Sequence, residues 1–314
     1  MNSVLHSLVI PVFNEKDGIT ALYEETKKIC DSVAAKGGLM EVIFVNDGSR
    51  DGSAQKLDEI IKKDGRYKVL HFSRNFGHQV AITAGIEHAA GATVSVMDAD
   101  LQDPPEVILE FIAMWQKGYE VVYGVRSKRD GETIFKLLTA KVFYRIIAKL
   151  TNVEIPVDTG DFRLMDRKAV DALLSIKERH RFIRGLVSWV GFRQIGVEYH
   201  RKERKFGATH FPFKKMLKFA MDGITSFSSA PLQLAIWIGA ISSFGALILS
   251  FWALYAHFYS DKTIQGWTSL ILVVLFFGGC QLLAIGIIGE YIGRIYDEVK
   301  ARPLYFVARK EGWK

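Results

Sequence analysis

The amino-acid sequence predicts an α/β domain with a mainly parallel sheet, followed by two membrane-spanning helices. In the first part of the chain, apolar β-branched runs alternate with stretches of helical periodicity. Strands that are separated by crossover helices form parallel sheets. Near the C-terminus, residues 231–256 and 264–289 contain no charged residue. At about 1.5 Å per residue, either run is long enough to cross a hydrocarbon core of about 30 Å.

The strands and helices of the α/β domain follow in order along the chain. Five apolar runs predict strands at residues 8–12, 42–45, 69–72, 93–97 and 121–125. Helical spacing predicts the intervening helices at residues 18–35, 53–63, 79–89 and 104–117. Ligands of such sheets bind beyond the carboxyl ends of the strands. The polar stretches NE, NDGSRDGS, SRNFGHQ and DADLQD, which follow the first four strands, therefore contain the candidate functional residues.

The two uncharged runs predict membrane spans. The alternative is a buried hydrophobic hairpin in a soluble protein, but both runs exceed ordinary core helices. Basic residues flank the pair on its outer sides, whereas in the connecting loop Lys262 is offset by Asp261. By the positive-inside rule, both termini and the N-terminal domain face the cytoplasm. We therefore expect a multi-pass protein of the inner (cytoplasmic) membrane, with residues 290–314 as a cytoplasmic basic tail.

Two further segments, residues 134–150 and 212–230, place basic side chains among apolar ones at helical spacing. Both fit helices that lie in the membrane interface, with basic groups toward the lipid headgroups. The alternative is an amphipathic helix packed on the core. The second segment abuts a span and favours the interface, whereas for the first both interpretations stay open. The expected organisation is a cytoplasmic domain at 1–211, an interfacial helix at 212–230, the two spans and the tail.

Composition narrows the classes of partner. The formal net charge of +7 suits anionic partners such as phosphates, nucleic acid or an acidic bilayer. The basic residues lie mainly beside the spans, without an aromatic-interleaved groove, so nucleic acid is not expected. Cys30 and Cys280 form neither a disulfide framework nor zinc spacing, and the N-terminus lacks a secretory signal pattern. A P-loop and a GxGxxG motif are both absent, so neither an NTPase nor a dinucleotide enzyme is indicated.

Two aspartates follow the fourth predicted strand, in the stretch VMDADLQDPPE. Asp98 and Asp100 are one residue apart, so in an extended chain their carboxylates leave on the same side and repel unless a cation lies between them. Oxygen ligands of this kind suit Mg²⁺ or Mn²⁺, which keep open positions for substrate phosphates. The alternative is that these acids cap the helix predicted to begin at Pro104, and we expect Asp103 to be such a cap.

A third aspartate, Asp47, ends the second predicted strand, before a turn that is rich in Gly and Ser. A carboxylate at this edge can accept hydrogen bonds from a base or a ribose. Asp-Gly is also common in ordinary turns, so turn formation is an equally good explanation. From these letters alone, the two alternatives stay open.

Six motifs resemble, in order, those of inverting family-2 glycosyltransferases with the GT-A fold. These are IPVFNE, FVNDGSRDGS, SRNFGHQVAITAGIEHAAG, MDADLQDPPE, VYGVRSKRDGE and DTGDFRLMDR. The similarity covers nearly the whole chain, and the ordered set is far more specific than DAD alone. The chain is most similar to the polyisoprenyl-phosphate glycosyltransferases, which include dolichyl-phosphate mannose synthases and bacterial undecaprenyl-phosphate glucosyltransferases. The stretch GEYIGRIYDEVKARPLYFV and the two spans resemble the bacterial two-span subgroup in particular.

The resemblance implies a role for each polar group at the sheet edge. Residues that line the nucleotide pocket are Pro11, Glu15 and Asp47. Residues that hold the metal on the sugar-nucleotide diphosphate are Asp98, Asp100 and Gln102. The position usually assigned as catalytic base is Asp161. Basic residues that hold the acceptor phosphate are Arg126, Arg129 and Lys136. Residues of a loop that closes over the donor are Arg201, Arg204 and Thr209.

The implied reaction is attack of a lipid phosphate oxygen on the anomeric carbon of a nucleotide sugar, with the nucleoside diphosphate as leaving group. A divalent cation would neutralise the charge that grows on this group. A phosphate monoester has a second pKa of about 6 and is largely a dianion at cytosolic pH. Asp161 is therefore expected chiefly to orient the substrates, with proton removal secondary. The QxxRW motif of processive synthases is absent, which favours transfer of a single sugar.

Several alternatives remain at this stage. Subgroup similarity favours UDP-glucose as donor and undecaprenyl phosphate as acceptor, with GDP-mannose or another UDP-sugar as the alternative donor. A different class of protein, a membrane-tethered binding protein without transferase activity, is disfavoured by the intact set of Asp98, Asp100, Asp161 and Arg126. Gly289 and Gly293 form a GxxxG pair, which allows close helix approach in a homo-oligomer or between the two spans.

Overall fold

The structure, a computed structural model, describes residues 5–128, 156, 159–202, 230–259 and 266–313. The chain divides into two compact units. The first, called the sheet unit here, comprises Met1–Lys149, Val153–Gly223 and Pro303–Lys314. The second, the helical unit, comprises Leu150–Asn152 and Ile224–Arg302. The last residues of the chain thus belong to the same unit as the first.

The described residues of the sheet unit form a mixed, mainly parallel sheet. Its eight strands are β1 (His6–Val12), β2 (Met40–Asn46), β3 (Tyr67–Phe72), β4 (Thr93–Val96), β5 (Val121–Lys128), β6 (Thr159–Asp166), β7 (Gln194–His200) and β8 (Val307–Glu311). Their order across the sheet is β7-β5-β6-β4-β1-β2-β3-β8. The pairs β1–β2, β1–β4, β2–β3 and β5–β7 are parallel, and the other three pairs are antiparallel. This arrangement confirms the predicted fold class.

Helices connect the parallel strands. They are α1 (Ile19–Ala35), α2 (Ser53–Lys63), α3 (His78–His88), α4 (Val107–Gln116), α5 (Arg167–Ser175) and α6 (Ile183–Trp189). β1 and β2 are buried over their whole lengths because helices cover the sheet, and for this reason both read as continuous apolar runs. All five predicted strands and all four predicted helices are present. α2 has the predicted ends, and the ends of the other elements lie within three residues of the predicted ones.

The predicted helix cap at Asp103 is wrong. α4 begins at Val107, three residues later than predicted, and its N-cap residue is Glu106. Pro104 and Pro105 form a turn instead, in which the Val107 amide donates to the Pro104 carbonyl oxygen at 3.1 Å. The carboxylate of Asp103 is buried and pairs with side chains of β7 and the residue that follows it, as described below.

β6 lies antiparallel between β4 and β5, and this position matters for function. Val96 pairs with Arg163, so the register continued by two residues sets position 98 opposite position 161. On the other side, Val125 pairs with Thr159. The amino end of β6 therefore lies at the same edge of the sheet as the carboxyl ends of the parallel strands.

The C-terminal segment differs from the predicted basic tail at 290–314. Its first part continues the second long helix to Lys300, and residues 307–311 form β8, which pairs antiparallel with β3. Tyr305 stacks on Phe72 with ring centroids 4.9 Å apart, and the Ser73 amide donates to the Phe306 carbonyl oxygen at 3.0 Å. Without this partner β3 would end the sheet with unpaired backbone groups, which is costly in a buried strand.

The helical unit contains α7 (Ala230–Tyr259) and α8 (Trp267–Lys300), two helices that are long and apolar enough to cross a membrane. Large apolar side chains such as Trp237, Leu282 and Val299 are more than half exposed, unlike those of the soluble hairpin considered above. A Cβ at Gly289 or Gly293 would meet nothing within 4 Å among the described residues. Packing between the two spans therefore does not require these glycines, and the homo-oligomer stays a prediction.

The two predicted interfacial segments, 134–150 and 212–229, lie outside the described residues. The same holds for most of the predicted boundary region around residue 211. The division into 1–211, 212–230 and the spans at 231–256 and 264–289 therefore stays a prediction. The side of the membrane that each terminus faces stays a prediction as well.

Candidate active site

The loops after β1 and β2 are joined by hydrogen bonds at the edge of the sheet where the parallel strands have their carboxyl ends. The loop after β1 donates its Asn14 amide to Ser49 Oγ at 3.0 Å and its Glu15 amide to Ser53 Oγ at 3.1 Å. Asn14 has a φ of 55°, a left-handed conformation that asparagine tolerates better than most residues. Pro11 is buried within β1, beside these loops, and Glu15 is half-buried. Pro11 and Glu15 are thus at the predicted edge of the sheet.

Asp47 joins the loop after β2 to the loop after β3. Its Oδ1 accepts from the Phe76 amide at 2.6 Å and its Oδ2 from the Gly77 amide at 2.9 Å. Burial raises the pKa of this carboxyl. Gly48 has a φ of +67°, and a Cβ there would lie 2.5 Å from the Arg74 carbonyl carbon. The predicted nucleotide-binding aspartate therefore also fixes the backbone between Arg74 and Gly77.

Asp98 and Asp100 follow β4 at the centre of the edge. Oδ1 of Asp98 is buried and lacks a hydrogen-bond donor in the described part of the chain. Burial, together with the neighbouring carboxylates, raises the pKa of Asp98 to about 6. Asp100 Oδ1 accepts from the Gln102 amide at 3.1 Å, and the side-chain amide of Gln102 donates to the Lys202 carbonyl oxygen at 3.4 Å. The side chain of Gln102 thus bonds to the end of β7.

The two aspartates fit a hard divalent cation. Oδ1 of Asp98 is buried without a hydrogen bond from the described part of the chain and faces Nε2 of His78 at 3.5 Å, while the neighbouring carboxylates repel it. A divalent cation would relieve this repulsion. Among the described residues, no three His, Cys, Asp or Glu side chains form a ready-made metal cluster. A cation held by Asp98 and Asp100 would therefore take further ligands from water or from a substrate phosphate, as Mg²⁺ commonly does.

Asp161 is buried opposite Asp98 and is surrounded by donors. Arg184, on α6, donates from Nε to Oδ1 at 2.9 Å and from Nη2 to Oδ2 at 3.2 Å. Gln79 donates from Nε2 to Oδ2 at 3.2 Å. Burial alone would raise the pKa of Asp161, but Arg184 and His78 hold it well below its usual range. The carboxylate is therefore a stable anion and a weak base.

His78 bridges the two halves of the site. Its Nε2 lies 3.3 Å from Asp161 Oδ2 and 3.5 Å from Asp98 Oδ1. Although desolvation lowers the pKa of His78, Asp161 and Asp98 together raise it to about 9. Its side chain is 46% exposed, so solvent weakens these attractions without changing their sign. The imidazole is therefore cationic at neutral pH.

A second cluster lies beside the aspartates, at the ends of β5 and β7. The Tyr199 hydroxyl donates to Asp103 Oδ1, and the Arg126 Nε donates to the Tyr199 hydroxyl at 3.4 Å. Arg201 Nε lies 3.5 Å from Asp103 Oδ1. The structure thus brings the predicted Arg126 and Arg201 together. Four further predicted residues lie outside the described residues: Arg129, Lys136, Arg204 and Thr209.

Five residues of the site were missed or misassigned from sequence: His78, Gln79, Asp103, Arg184 and Tyr199. His78 and Gln79 belong to SRNFGHQ, which was noted as a polar cluster, so a signal existed for them. Arg184 and Tyr199 belong to a short helix and a partly exposed strand without a distinctive pattern. Their proximity to Asp161 and Asp103 depends on the fold.

Comparison with known proteins decides the family. The family model described as "Glycosyl transferase family 2" matches residues 7–174, which contain all but the first residue of β1, the whole of β2 to β6 and both central aspartates. The chain belongs to glycosyltransferase family 2. It is therefore an enzyme that transfers a sugar, and the resemblance of the ordered motifs is confirmed at the level of the family.

Relatives of this glycosyltransferase match over nearly their full lengths. The "Uncharacterized glycosyltransferase YkcC" of Bacillus subtilis (strain 168) is 53% identical, with 98% of this chain and 95% of that protein covered. The "Prophage bactoprenol glucosyl transferase homolog" of Escherichia coli (strain K12) is 39% identical, with 96% and 98% covered. The "Bactoprenol glucosyl transferase" of Shigella phage SfV is 38% identical, with 97% and 98% covered.

Two solved structures are more distant. Mannosyl-3-phosphoglycerate synthase from Rubrobacter xylanophilus is 17% identical, with a TM-score of 0.47 over 71% of this chain and 72% of that one. The mannosyltransferase PcManGT from Pyrobaculum calidifontis, solved with GDP-Man and Mn²⁺, is 14% identical, with a TM-score of 0.43 over 89% and 86%.

Proposed function

We propose that this glycosyltransferase transfers one sugar from UDP-glucose to undecaprenyl phosphate, with inversion at the anomeric carbon. One observation carries the proposal: bactoprenol glucosyl transferases match this chain over 96–97% of its length, including both long apolar helices. A soluble acceptor would not need such helices. The alternative donor is GDP-mannose, which would make the protein a polyprenyl-phosphate mannosyltransferase.

The acidic edge of the sheet suits a nucleotide-sugar donor. Asp98 and Asp100 would hold Mg²⁺ or Mn²⁺, with Gln102 supporting their loop through its backbone amide. The bound cation would act as a Lewis acid on the leaving diphosphate. Asp47, Glu15 and Pro11 flank the loops where a nucleotide would bind. The assignment of this donor pocket rests on the position of these residues at one edge of the sheet.

The acceptor side suits a phosphate monoester. Such an acceptor is already largely a dianion near neutral pH, so it needs little help from a base. The low pKa of Asp161 agrees with this, because a weak base orients better than it abstracts protons. Arg126 would bind the acceptor phosphate through the bidentate fork of its guanidinium. Arg129 and Lys136 are proposed to assist it, and Arg201, Arg204 and Thr209 are proposed to contact the donor.

The two long helices would retain the enzyme where its substrates meet. The lipid tail of the acceptor lies in the bilayer, whereas the donor is dissolved in water. An enzyme fixed in the inner membrane, with its sheet unit on the cytoplasmic side, restricts the search for the acceptor to the membrane surface. This topology follows from the distribution of basic residues.

The experiment is transfer by the purified full-length protein in detergent. Undecaprenyl phosphate is incubated with UDP-glucose or GDP-mannose, with Mn²⁺ or with excess chelator, and lipid-linked sugar is measured. We expect glucosyl lipid only with UDP-glucose and cation, and almost none from Asp98→Asn. Formation of mannosyl lipid would establish GDP-mannose as the donor. Full activity in excess chelator would refute the requirement for a divalent cation. If neither sugar is transferred, the assay is repeated with other UDP-sugars, and a protein that transfers none of them would be the tethered binding protein considered above.

A further inference from the structure

A buried carboxylate, Asp103, has no role in the reaction described so far. Its side chain is 1% exposed, and its Oδ1 accepts from the Tyr199 hydroxyl and faces Arg201 Nε at 3.5 Å. Its Oδ2 is buried without a hydrogen bond in the described part of the chain. A buried carboxylate is costly unless cations compensate it, and Arg201 and Arg126 are the cations that act on it. Burial raises the pKa of Asp103, and Arg126 and Arg201 act against this rise. With the carboxylate ionised, the three side chains carry a net charge of +1.

Two glycines make room for this cluster. A Cβ at Gly124 would lie 2.6 Å from Tyr199 Cε1, so the tyrosine ring occupies the space of the missing side chain. A Cβ at Gly160 would lie 2.6 Å from Arg126 Nη2. Neither glycine has a positive φ, so at both positions it is the missing side chain that matters. The backbone is thus shaped around the Tyr199 ring and the Arg126 guanidinium.

The cluster is tied to the loop of the central aspartates. The Lys202 amide donates to the Gln102 carbonyl oxygen at 2.9 Å, which joins the end of β7 to the loop after β4. Across β5 and β7, Arg126 pairs with Tyr199. Arg126 and Arg201 are therefore held next to the loop of Asp98 and Asp100. Two guanidinium groups held at one place can bind an anion such as a phosphate.

We propose that Asp103 and Tyr199 are positioning residues that hold Arg126 and Arg201 in place for a phosphate-bearing substrate. The proposal rests on the proposed function and adds two residues to its machinery. Asp103 sets the position of Arg201 directly and that of Arg126 through the Tyr199 hydroxyl. Neither residue needs to touch the substrate. The phosphate is that of the lipid acceptor or that of the nucleotide, and both contain the anionic phosphate oxygens that arginine recognises.

The test is equilibrium binding, which does not depend on turnover. Full-length wild type, Asp103→Asn and Tyr199→Phe are titrated in detergent with undecaprenyl phosphate and, separately, with UDP and Mn²⁺. Glu106→Gln is the control, because it removes a carboxylate from the same loop that is exposed and pairs with Lys202 at 3.0 Å. Thermal unfolding of each variant is recorded in the same detergent.

We expect Asp103→Asn to lower the affinity for one of the two ligands about tenfold. Tyr199→Phe should lower the affinity for the same ligand several-fold. Glu106→Gln should bind both as the wild type does. Loss of undecaprenyl phosphate alone assigns the arginines to the acceptor, and loss of UDP alone assigns them to the donor. If Asp103→Asn unfolds, Tyr199→Phe decides, since it changes no charge.

Three results would overturn the inference. Unchanged binding of both ligands would show that Asp103 and Tyr199 only support the fold. Tighter binding by Asp103→Asn would show that the carboxylate merely offsets positive charge. A wild type that binds neither ligand would show that Arg126 and Arg201 do not bind a phosphate-bearing substrate. The proposed function fails separately, in the transfer assay, if the wild type moves no sugar to lipid.

Discussion

Asp161 is an anion that contacts Arg184, Gln79 and His78, and this arrangement restricts the catalytic role that we propose for it. A carboxylate with a depressed pKa holds a proton poorly, so it contributes position and charge. The same three donors fix the direction of both oxygens. Orientation within a fraction of an ångström accounts for large factors in rate.

We predict that Asp161→Asn lowers kcat about 100-fold, by the same factor at pH 6 and at pH 8. The variant loses the ion pair with Arg184 that fixes the side chain. The loss does not depend on pH because the acceptor phosphate is already anionic and needs no base. Turnover with saturating substrates at the two pH values measures the ratio. Recovery of the variant at pH 8 would instead mean that Asp161 removes a proton. Asp166→Asn is the control, since Asp166 lies at the other end of β6 and bonds Trp115 and Lys168.

His6 gives a second prediction, on stability. Burial lowers the pKa of its ring to about 4, from 6.5 in the unfolded chain, and Nδ1 pairs with Thr93 Oγ1 at 2.7 Å. The neutral ring therefore contributes its full stability above pH 6.5, and this is lost as the pH falls toward 4. Between pH 7 and pH 5 the wild type should lose about 2 kcal/mol more than His6→Asn. Thermal unfolding at both pH values tests this, and equal losses would contradict it.

At the residue scale, sequence reasoning located the acids but not their partners. Asp98 and Asp161 were predicted through motifs, because the acids of a metal-dependent transferase site recur in recognisable strings. His78 and Arg184 reach Asp161 from 83 and 23 positions away, through α3 and α6. That distance is a property of helix packing, which short motifs do not contain. Asp103 was read as a local cap because its long-range partner, Tyr199, is 96 positions away.

At the scale of elements, the loops after β2 and β3 behave as one body. Gly48 lies against the backbone of Arg74 and Asn75, and Asp47 accepts both amides that follow, from Phe76 and Gly77. His78 comes next and begins α3. A displacement of the first loop is therefore passed on to the residue that bridges Asp98 and Asp161.

Gly48→Ala should consequently weaken donor binding about tenfold and lower the melting temperature. The new Cβ would lie 2.5 Å from a backbone carbon at a φ of +67°, so the two loops must separate. UDP titration with Mn²⁺ and a thermal melt measure the two effects. Gly65→Ala is the matched control, because the added Cβ would meet no described residue within 4 Å apart from its chain neighbours. Equal behaviour of the two variants would contradict the coupling of the loops.

The predictability of an element followed its burial. β1 to β5 were found because strands covered on both faces are continuous apolar runs. β6 was missed because two buried charged residues, Asp161 and Arg163, interrupt its apolar run. Asp161 is a residue of the candidate active site. β8, with the sequence VARKE, is largely exposed and charged, and it is a strand only because β3 offers an edge. Its pairing therefore could not be predicted from its own letters.

At the scale of the whole molecule, the sheet is completed by the C-terminal residues. Tyr305 contacts Phe72 and donates its hydroxyl to Glu87, and Arg309 pairs with Asp58 at 2.6 Å. Ser73, at the start of the loop that leads to His78, donates its amide to Phe306. The C-terminal segment thus borders the same loop that forms the site.

Tyr305→Ala should destabilise the sheet unit by about 2 kcal/mol, since it removes a stacked ring and a hydrogen bond. Thermal unfolding in detergent would show this as a lower melting temperature. Arg302→Ala is the comparison variant and should melt like the wild type, because Arg302 is exposed and lies just before Pro303–Lys314, the last part of the sheet unit. A Tyr305→Ala protein that melts like the wild type would show that the contacts of Tyr305 with Phe72 and Glu87 contribute little to stability.

The position of β8 has a consequence for synthesis. β3 leaves the ribosome roughly 235 positions before β8, with both long apolar helices translated in between. At about 5 to 20 residues per second, the open edge of β3 waits roughly 10 to 50 seconds for its neighbour. Every nascent copy passes through an interval in which its sheet offers a bare border to other chains. A stop codon between α8 and β8 would release the protein permanently in that condition.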